Sequence, residues 1–256
     1  MTTQTGFIAG RYLAGRPSGI VVAVFDRSAY LSVGSGLVCL AGRLLPEGPL
    51  MVPYPRPHVL RLGERVALGP NTNRLWQPPP APRWSIGSLE QGMAAVKFLN
   101  GIQEWLDHAA PGVEAEIASW LMRRITGSLV GIPQSVLKLV GLGPGLTPSG
   151  DDFLGGIMVA THALGRPEIA SALHDSLDLS RTNRISAAHL TAAREGAAAA
   201  PLHSALHDTL CGRTDTLPAR LVGLDQIGHS SGQDAFAGCY AALRAYCDAE
   251  KRRSAA

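Results

Sequence analysis

Two short runs in this sequence combine hydroxyls, carboxylates and glycines at a spacing suited to gripping a small anion. The first is Gly141-Leu-Gly-Pro-Gly-Leu-Thr-Pro-Ser-Gly-Asp-Asp152, and the second is Gly228-His-Ser-Ser-Gly-Gln-Asp234. A shift of 82 positions aligns Ser149 with Ser231, Gly150 with Gly232, Asp152 with Asp234 and Gly156 with Gly238. Each run leads into a segment of helical spacing, so the pair reads as a degenerate internal repeat of two loop–helix units. A helix start offers unpaired backbone N–H groups and the positive pole of its dipole. Gly156 with Ala160, and Gly238 with Ala242, place small residues one turn apart on one face, which lets two helices approach closely. If they pack against each other, both N-termini meet at one place. There the amides of 143–150 (Gly143, Gly145 and Gly150 among them) and of Ser230, Ser231 and Gly232 would surround a phosphate or carboxylate. The hydroxyls of Thr147, Ser149 and Ser231 would add donors. His229 would serve as proton donor, and Asp152 or Asp234 would orient the substrate.

The same residues also fit a purely structural role. Ser149-x-x-Asp152 and Ser231-x-x-Asp234 both match a capping box, in which Ser caps the N3 amide and the acid returns to the cap. Glycine at the first helical position of both units is a poor choice for stability alone. It suggests that something approaches the backbone closely, and Gly150→Val is therefore expected to weaken anion binding more than it lowers the melting temperature. Two helix ends at ~0.3–2 kcal/mol each, with charge-assisted amide bonds at ~1.5–3, reach the ~4 kcal/mol of a millimolar site. Acidic side chains at the same place subtract from that. The conflict eases if Asp151 or Asp152 holds Mg²⁺ against the anion, or if Lys138, His162, His229 or Arg184 compensates. No Gly-Lys-Ser/Thr follows the glycines, so the loop is not a Walker A motif, and the helical character of the preceding segment excludes a dinucleotide-binding turn. A third segment, 181–189, sets Thr182, Arg184 and Ser186 ahead of an Ala-rich helix, either as a further pocket or as an N-capped loop. His203 and His207 share a helical spacing without a third ligand and read as surface residues.

These runs must be held by elements that differ along the chain. Ile20–Phe25 is a continuous β-branched run. Residues 31–33 and 37–40 flank Gly34-Ser-Gly36, and residues 59–62 and 65–68 flank Gly63-Glu64, as two hairpins. Together they predict a small antiparallel barrel or sandwich over residues 1–76. Gln77-Pro-Pro-Pro-Ala-Pro-Arg83 makes 77–87 a connector. From an N-cap at Ser88, apolar positions Leu89, Met93, Val96, Leu99, Ile102 and Leu106 predict a long helix, and Ile117, Leu121 and Ile125 a second. Further helices are expected at 134–140, 152–164, 168–177, 185–195, 201–211, 217–224 and 233–249. The expected class is α+β, with a β-rich domain followed by an α-helical domain over 88–256 that carries the loops.

The 256 residues are 46% hydrophobic and 17% charged, which excludes a disordered chain. A net charge of +3 without a Lys/Arg block gives no reason to expect nucleic acid or an anionic membrane surface as partner. The N-terminus shows no signal-peptide pattern, and the apolar stretch 153–164 is too short for the ~20 residues of a membrane span. Four scattered cysteines read as reduced, packed thiols. A soluble, cytoplasmic protein is expected.

Residues 141–154, 182–186 and 227–234 together resemble the AllH family, with a fainter likeness over Val24-Phe-Asp-Arg-Ser28. That resemblance implies work alongside FdrA-like and AllG-like subunits in an oxamate carbamoyltransferase, which converts oxalurate and phosphate to oxamate and carbamoyl phosphate during allantoin breakdown. All of these ligands are small anions, which agrees with the loops. The residues leave two other readings open: a non-catalytic scaffold or regulatory subunit docking an FdrA-like partner, or a stand-alone enzyme acting on a small carboxylate or amide.

Overall fold

The computed structural model describes residues 4–15, 17–68, 74–96, 110–228 and 230–255. They form two compact units, one of residues 1–79 with 197–200 and one of residues 80–196 with 201–256. The class is α+β, with strands confined to the first unit and almost all of the helix in the second.

The first unit opens with helix α1 (Phe7–Leu13), followed by strands β1 (Ser18–Val24), β2 (Ser28–Val33), β3 (Gly36–Ala41), β4 (Met51–Pro53) and β5 (Arg65–Ala67). They make one curled sheet in the order β4-β3-β2-β1-β5. The β2–β3 hairpin turns where Gly34 was expected to allow it, with Val33 paired to Gly36. β4 pairs with β3 in parallel, so the sheet is mixed rather than wholly antiparallel. Residues 59–62 are not a strand: Pro57–Val59 is a 3-10 turn, and β5 pairs with β1 instead. Pro57, with its fixed φ, opens the 3-10 turn that takes Val59 out of the expected strand. α1 has seven residues, too few to show a helical period in the sequence. It contributes Ala9 to a core of Val21, Leu31, Val33, Val38, Leu40, Val52 and Val66.

The second unit is helical: α2 (Ile86–Ala95), α3 (Val113–Ile125), α4 (Gln134–Leu137), α5 (Ser149–Ala163), α6 (Pro167–Ser176), α7 (Arg184–Arg194), α8 (Ala200–Leu210, Ala200 itself lying with the first unit), α9 (Leu217–Gly223) and α10 (Ser231–Ala255). The cap of α2 lies three residues before the expected one. Ser85 is the N-cap, and its hydroxyl accepts the Ser88 amide while Ser88 Oγ accepts the Ser85 amide. α2 ends at Ala95, with Val96 already extended, so one continuous helix through 106 is excluded; Leu99, Ile102 and Leu106 lie outside the described residues. Ile117, Leu121 and Ile125 are all buried on α3, as their spacing predicts. Cys39, Cys239 and Cys247 are buried free thiols, and burial pushes the Cys39 thiol up to about 12. Among the described residues, no helix is long and apolar enough to cross a membrane.

Candidate functional site

α5 and α10 meet backbone to backbone. A Cβ added at Gly156 would stand 1.8 Å from the Ala235 carbonyl oxygen, and one at Gly238 would stand 1.9 Å from that of Phe153. The 82-residue shift that aligns the sequences carries one of these contacts onto the other, so the repeat is a local two-fold relation in space as well. Phe153 and Phe236 are fully buried close to this contact.

The two helix starts converge. Thr147 Oγ1 and Ser231 Oγ are 2.7 Å apart. The Ser149 hydroxyl lies beside the Asp234 carboxyl and lowers it, and the Ser231 hydroxyl does the same to Asp152, again a pair exchanged by the same shift. The capping-box reading fails at both places. α5 begins at Ser149, with Pro148 in the cap position accepting the Asp151 and Asp152 amides and no side chain capping the helix. α10 begins at Ser231, with the Ser230 carbonyl accepting the Asp234 amide. Both helices therefore start two or three residues earlier than expected, and both serines stand inside the first turn, where their hydroxyls reach across to the other helix.

Glycine at 150 and 232 has a different cause from the one expected. A Cβ at Gly150 would fall 2.1 Å from the Leu139 carbonyl oxygen, and one at Gly232 would fall 2.1 Å from that of Leu224. The groups that approach these backbones belong to the chain itself. The Gly150 amide is also occupied, donating to Leu142 O at 2.9 Å. Gly150→Val is thus expected to break the fold, which reverses the sequence expectation. Gly143 and Gly145 carry φ of 116° and 94°, a conformation that the turn requires whatever it binds.

The neighbouring acids Asp151 and Asp152 have different surroundings. Asp151 is 2% exposed, and its Oδ1 accepts the Gly141 amide at 2.8 Å. Its Oδ2 accepts the Ser186 hydroxyl at 2.6 Å and the Thr182 hydroxyl. Thr182 and Ser186, expected as ligand-binding residues, thus clip α7 to the loop through Asp151. Asn183 caps α7 by accepting the Ile185 and Ser186 amides, and it donates to Leu146 O at 2.7 Å. Arg184, next along α7, is exposed. His162 is ten residues beyond Asp152, about 15 Å along the helix, and its Nε2 meets Arg194 O at 2.8 Å. Lys138 is exposed at the end of α4. His229 lies outside the described residues. His203 is not a surface residue: it is 5% exposed, and burial pushes its imidazole down to about 4, while His207 is half-buried.

Asp152 and Asp234 have few stabilising partners. Burial raises both carboxyls above the usual carboxylate range, and the Asp234 charge raises Asp152 further against the lowering effect of Ser231. One oxygen of each, Oδ2, is buried without a hydrogen-bond partner. A carboxyl whose folded pKa is raised stabilises the protein below its unfolded pKa, and that contribution is lost as pH rises through the folded value. Asp234→Asn is accordingly expected to raise the melting temperature at pH 8 in metal-free buffer, by ~2–4 °C per kcal/mol relieved, with a smaller gain at pH 4.5. Thermal melts at the two pH values check it, and a loss at both would mean that the acid is net stabilising.

Two kinds of chemistry fit this arrangement: hydroxyls that turn to an anion, and buried carboxylate oxygens without a donor that face a cation. The residues missed by sequence reading are Asn183, as the cap of α7, and Leu139 and Leu224, whose carbonyls force the glycines. An Asn two residues ahead of Ile185 was a visible cap signal; the carbonyl contacts left no trace in the sequence.

No solved structure matches this chain. Residues 139–243 match the model of a family described as oxamate carbamoyltransferase subunit AllH. The matched span runs from the end of α4 through both Ser-Gly-x-Asp units and into α10, so it contains every hydroxyl–carboxyl contact described above. Over residues 139–243 this chain is therefore similar to a family described as a subunit of oxamate carbamoyltransferase.

Proposed function

We propose that this chain is the subunit that holds the small anion of the carbamoyl-transfer reaction, whether phosphate, carbamoyl phosphate or an oxalurate-like substrate, where α5 and α10 begin. The observation that carries the reading is the outward reach of the first-turn serines. A serine that only stabilised a helix would cap its own amides, whereas Ser149 and Ser231 leave theirs and meet the opposite repeat. When an anion binds, Thr147, Ser149 and Ser231 turn their hydroxyl protons to it from the carboxyls and from one another, at the positive ends of two helices. The remaining first-turn amides of α10 add to them.

In this reading phosphate attacks the carbamoyl carbon of oxalurate, the bond from that carbon to the oxamate nitrogen breaks, and that nitrogen takes up a proton. The donors here stabilise the charge on the phosphate oxygens. His229, two residues before Ser231, supplies the proton. Asp152 and Asp234 set the orientation of the hydroxyls. FdrA-like and AllG-like subunits complete the catalytic assembly, and the pathway it serves is purine breakdown, as the likeness to the family implies.

Inorganic phosphate at millimolar concentration is expected to raise the melting temperature of the purified chain by several degrees, through preferential binding to the folded state. The double substitution Thr147→Val with Ser231→Ala is expected to remove that shift while keeping the fold. In the reconstituted complex it should lower turnover of oxalurate and phosphate by ~10–100-fold, the scale of losing positioned donors. Equal phosphate shifts in the wild type and the double variant would overturn the reading, as would no shift in either.

A further inference from the structure

The described buried acids fall into two groups. Asp208, 3% exposed, is held by Arg213, Arg220 and the Thr216 hydroxyl. Asp151 is satisfied by an amide and two hydroxyls. Asp234, 5% exposed, and its repeat partner Asp152 have neither arrangement: each keeps a buried Oδ2 with no hydrogen-bond partner. Among the described residues, no Lys, Arg or His forms an ion pair with either. A buried carboxylate oxygen with no donor is costly, and the chain elsewhere shows that it can provide donors.

We propose that Asp152 and Asp234 together hold one divalent cation of the Mg²⁺ class, their free Oδ2 atoms being its protein ligands. The proposal deepens the anion reading of the same place. Two ionised carboxylates repel a phosphate, and a cation bound to both converts that repulsion into a bridge. Among the described residues the donor set is oxygen alone, which suits Mg²⁺ or Mn²⁺ rather than Zn²⁺. Mg²⁺ sites commonly use one or two protein carboxylates, with water and substrate phosphate filling the octahedron, so two aspartates suffice. The hydroxyls orient the ligands: Ser231 and Thr147 serve Asp152, and Ser149 and Ser230 serve Asp234. Asp151, with both oxygens engaged, is not a ligand, which moves the expected metal pair from Asp151–Asp152 to Asp152–Asp234.

The test is titration of the purified chain with MnCl2, followed by electron paramagnetic resonance of free Mn²⁺, with and without inorganic phosphate. One Mn²⁺ per chain is expected. Asp152→Asn and Asp234→Asn should each weaken it at least about tenfold, the loss that removal of even an outer-shell partner brings. Asp215→Asn, at an exposed acid elsewhere, should leave binding unchanged. Circular dichroism establishes that each variant is folded. Absence of Mn²⁺ binding, or binding that survives both site substitutions, overturns the proposal, as does equal weakening by Asp215→Asn. The two readings fail separately. Phosphate stabilisation that persists in EDTA without any Mn²⁺ binding leaves the anion reading and removes the cation. Mn²⁺ binding that depends on both aspartates but is indifferent to phosphate keeps the cation and removes the anion reading.

Discussion

Gly156→Ala is expected to lower the melting temperature by about 10 °C or more, while Gly155→Ala, one residue away on the same helix, leaves it unchanged or raises it. The added methyl at 156 would sit 1.8 Å from the Ala235 carbonyl oxygen, a backbone atom that cannot rotate aside. Relief requires the two helices to separate along their shared contact, where overpacking costs ~1–3 kcal/mol and sometimes more. At ~2–4 °C per kcal/mol, the upper part of that range reaches the stated shift. At 155 the methyl would meet Ala193 Cβ at 3.7 Å, an ordinary contact, and alanine favours helix by up to ~1 kcal/mol. Gly238→Ala should behave like Gly156→Ala, because its methyl would stand 1.9 Å from Phe153 O. Thermal melts of the three variants decide the matter. A Gly156→Ala protein as stable as the Gly155→Ala protein would mean that the helices are not in backbone contact.

The second large effect separates two acids that are adjacent in sequence. Asp151→Ala removes the acceptor of the Gly141 amide and of the Thr182 and Ser186 hydroxyls, with Ser186 1% exposed. Each donor left buried without a partner costs ~1–3 kcal/mol, so a total near 3–5 kcal/mol is expected, with the loop coming away from α7. Asp152→Asn should move the other way in metal-free buffer, because it removes a buried charge that Asp234 opposes. Denaturant unfolding measures both. The same sign for both substitutions would show that the two carboxyls share one environment. Magnitude also matters for function: the Asp151 variant loses the loop as a whole, and its activity says nothing about the hydroxyls.

The helical unit was largely legible, because its signal is local. Ile117, Leu121 and Ile125 recur at helical spacing, and all three are buried on α3. The Ser-Gly-x-Asp repeat was legible because it survives as identical residue types at a fixed offset, and its meaning in space follows from Gly156 and Gly238. Pairing in the sheet was less so. β4 has three residues and joins β3 in parallel, a choice governed by the path of the intervening chain rather than by any pattern within Met51–Pro53. The glycines at 150 and 232 were read as open to a ligand because a sequence shows the missing side chain but not what fills the space. Leu139 and Leu224 donate only their carbonyls to that contact, and a carbonyl is common to every residue. The contact of Thr182 and Ser186 with Asp151 was hidden for a related reason. Hydroxyls near a helix start look the same whether they face a substrate or a neighbouring carboxylate.

The crossed hydroxyl–carboxyl contacts make each repeat depend on its twin: Ser149 serves Asp234, and Ser231 serves Asp152. Each acid thus has one hydroxyl neighbour from its own repeat, Thr147 for Asp152 and Ser230 for Asp234, and one from the other, so neither half is complete alone. A change at either serine therefore acts on the acid of the opposite half, which couples the two helix starts.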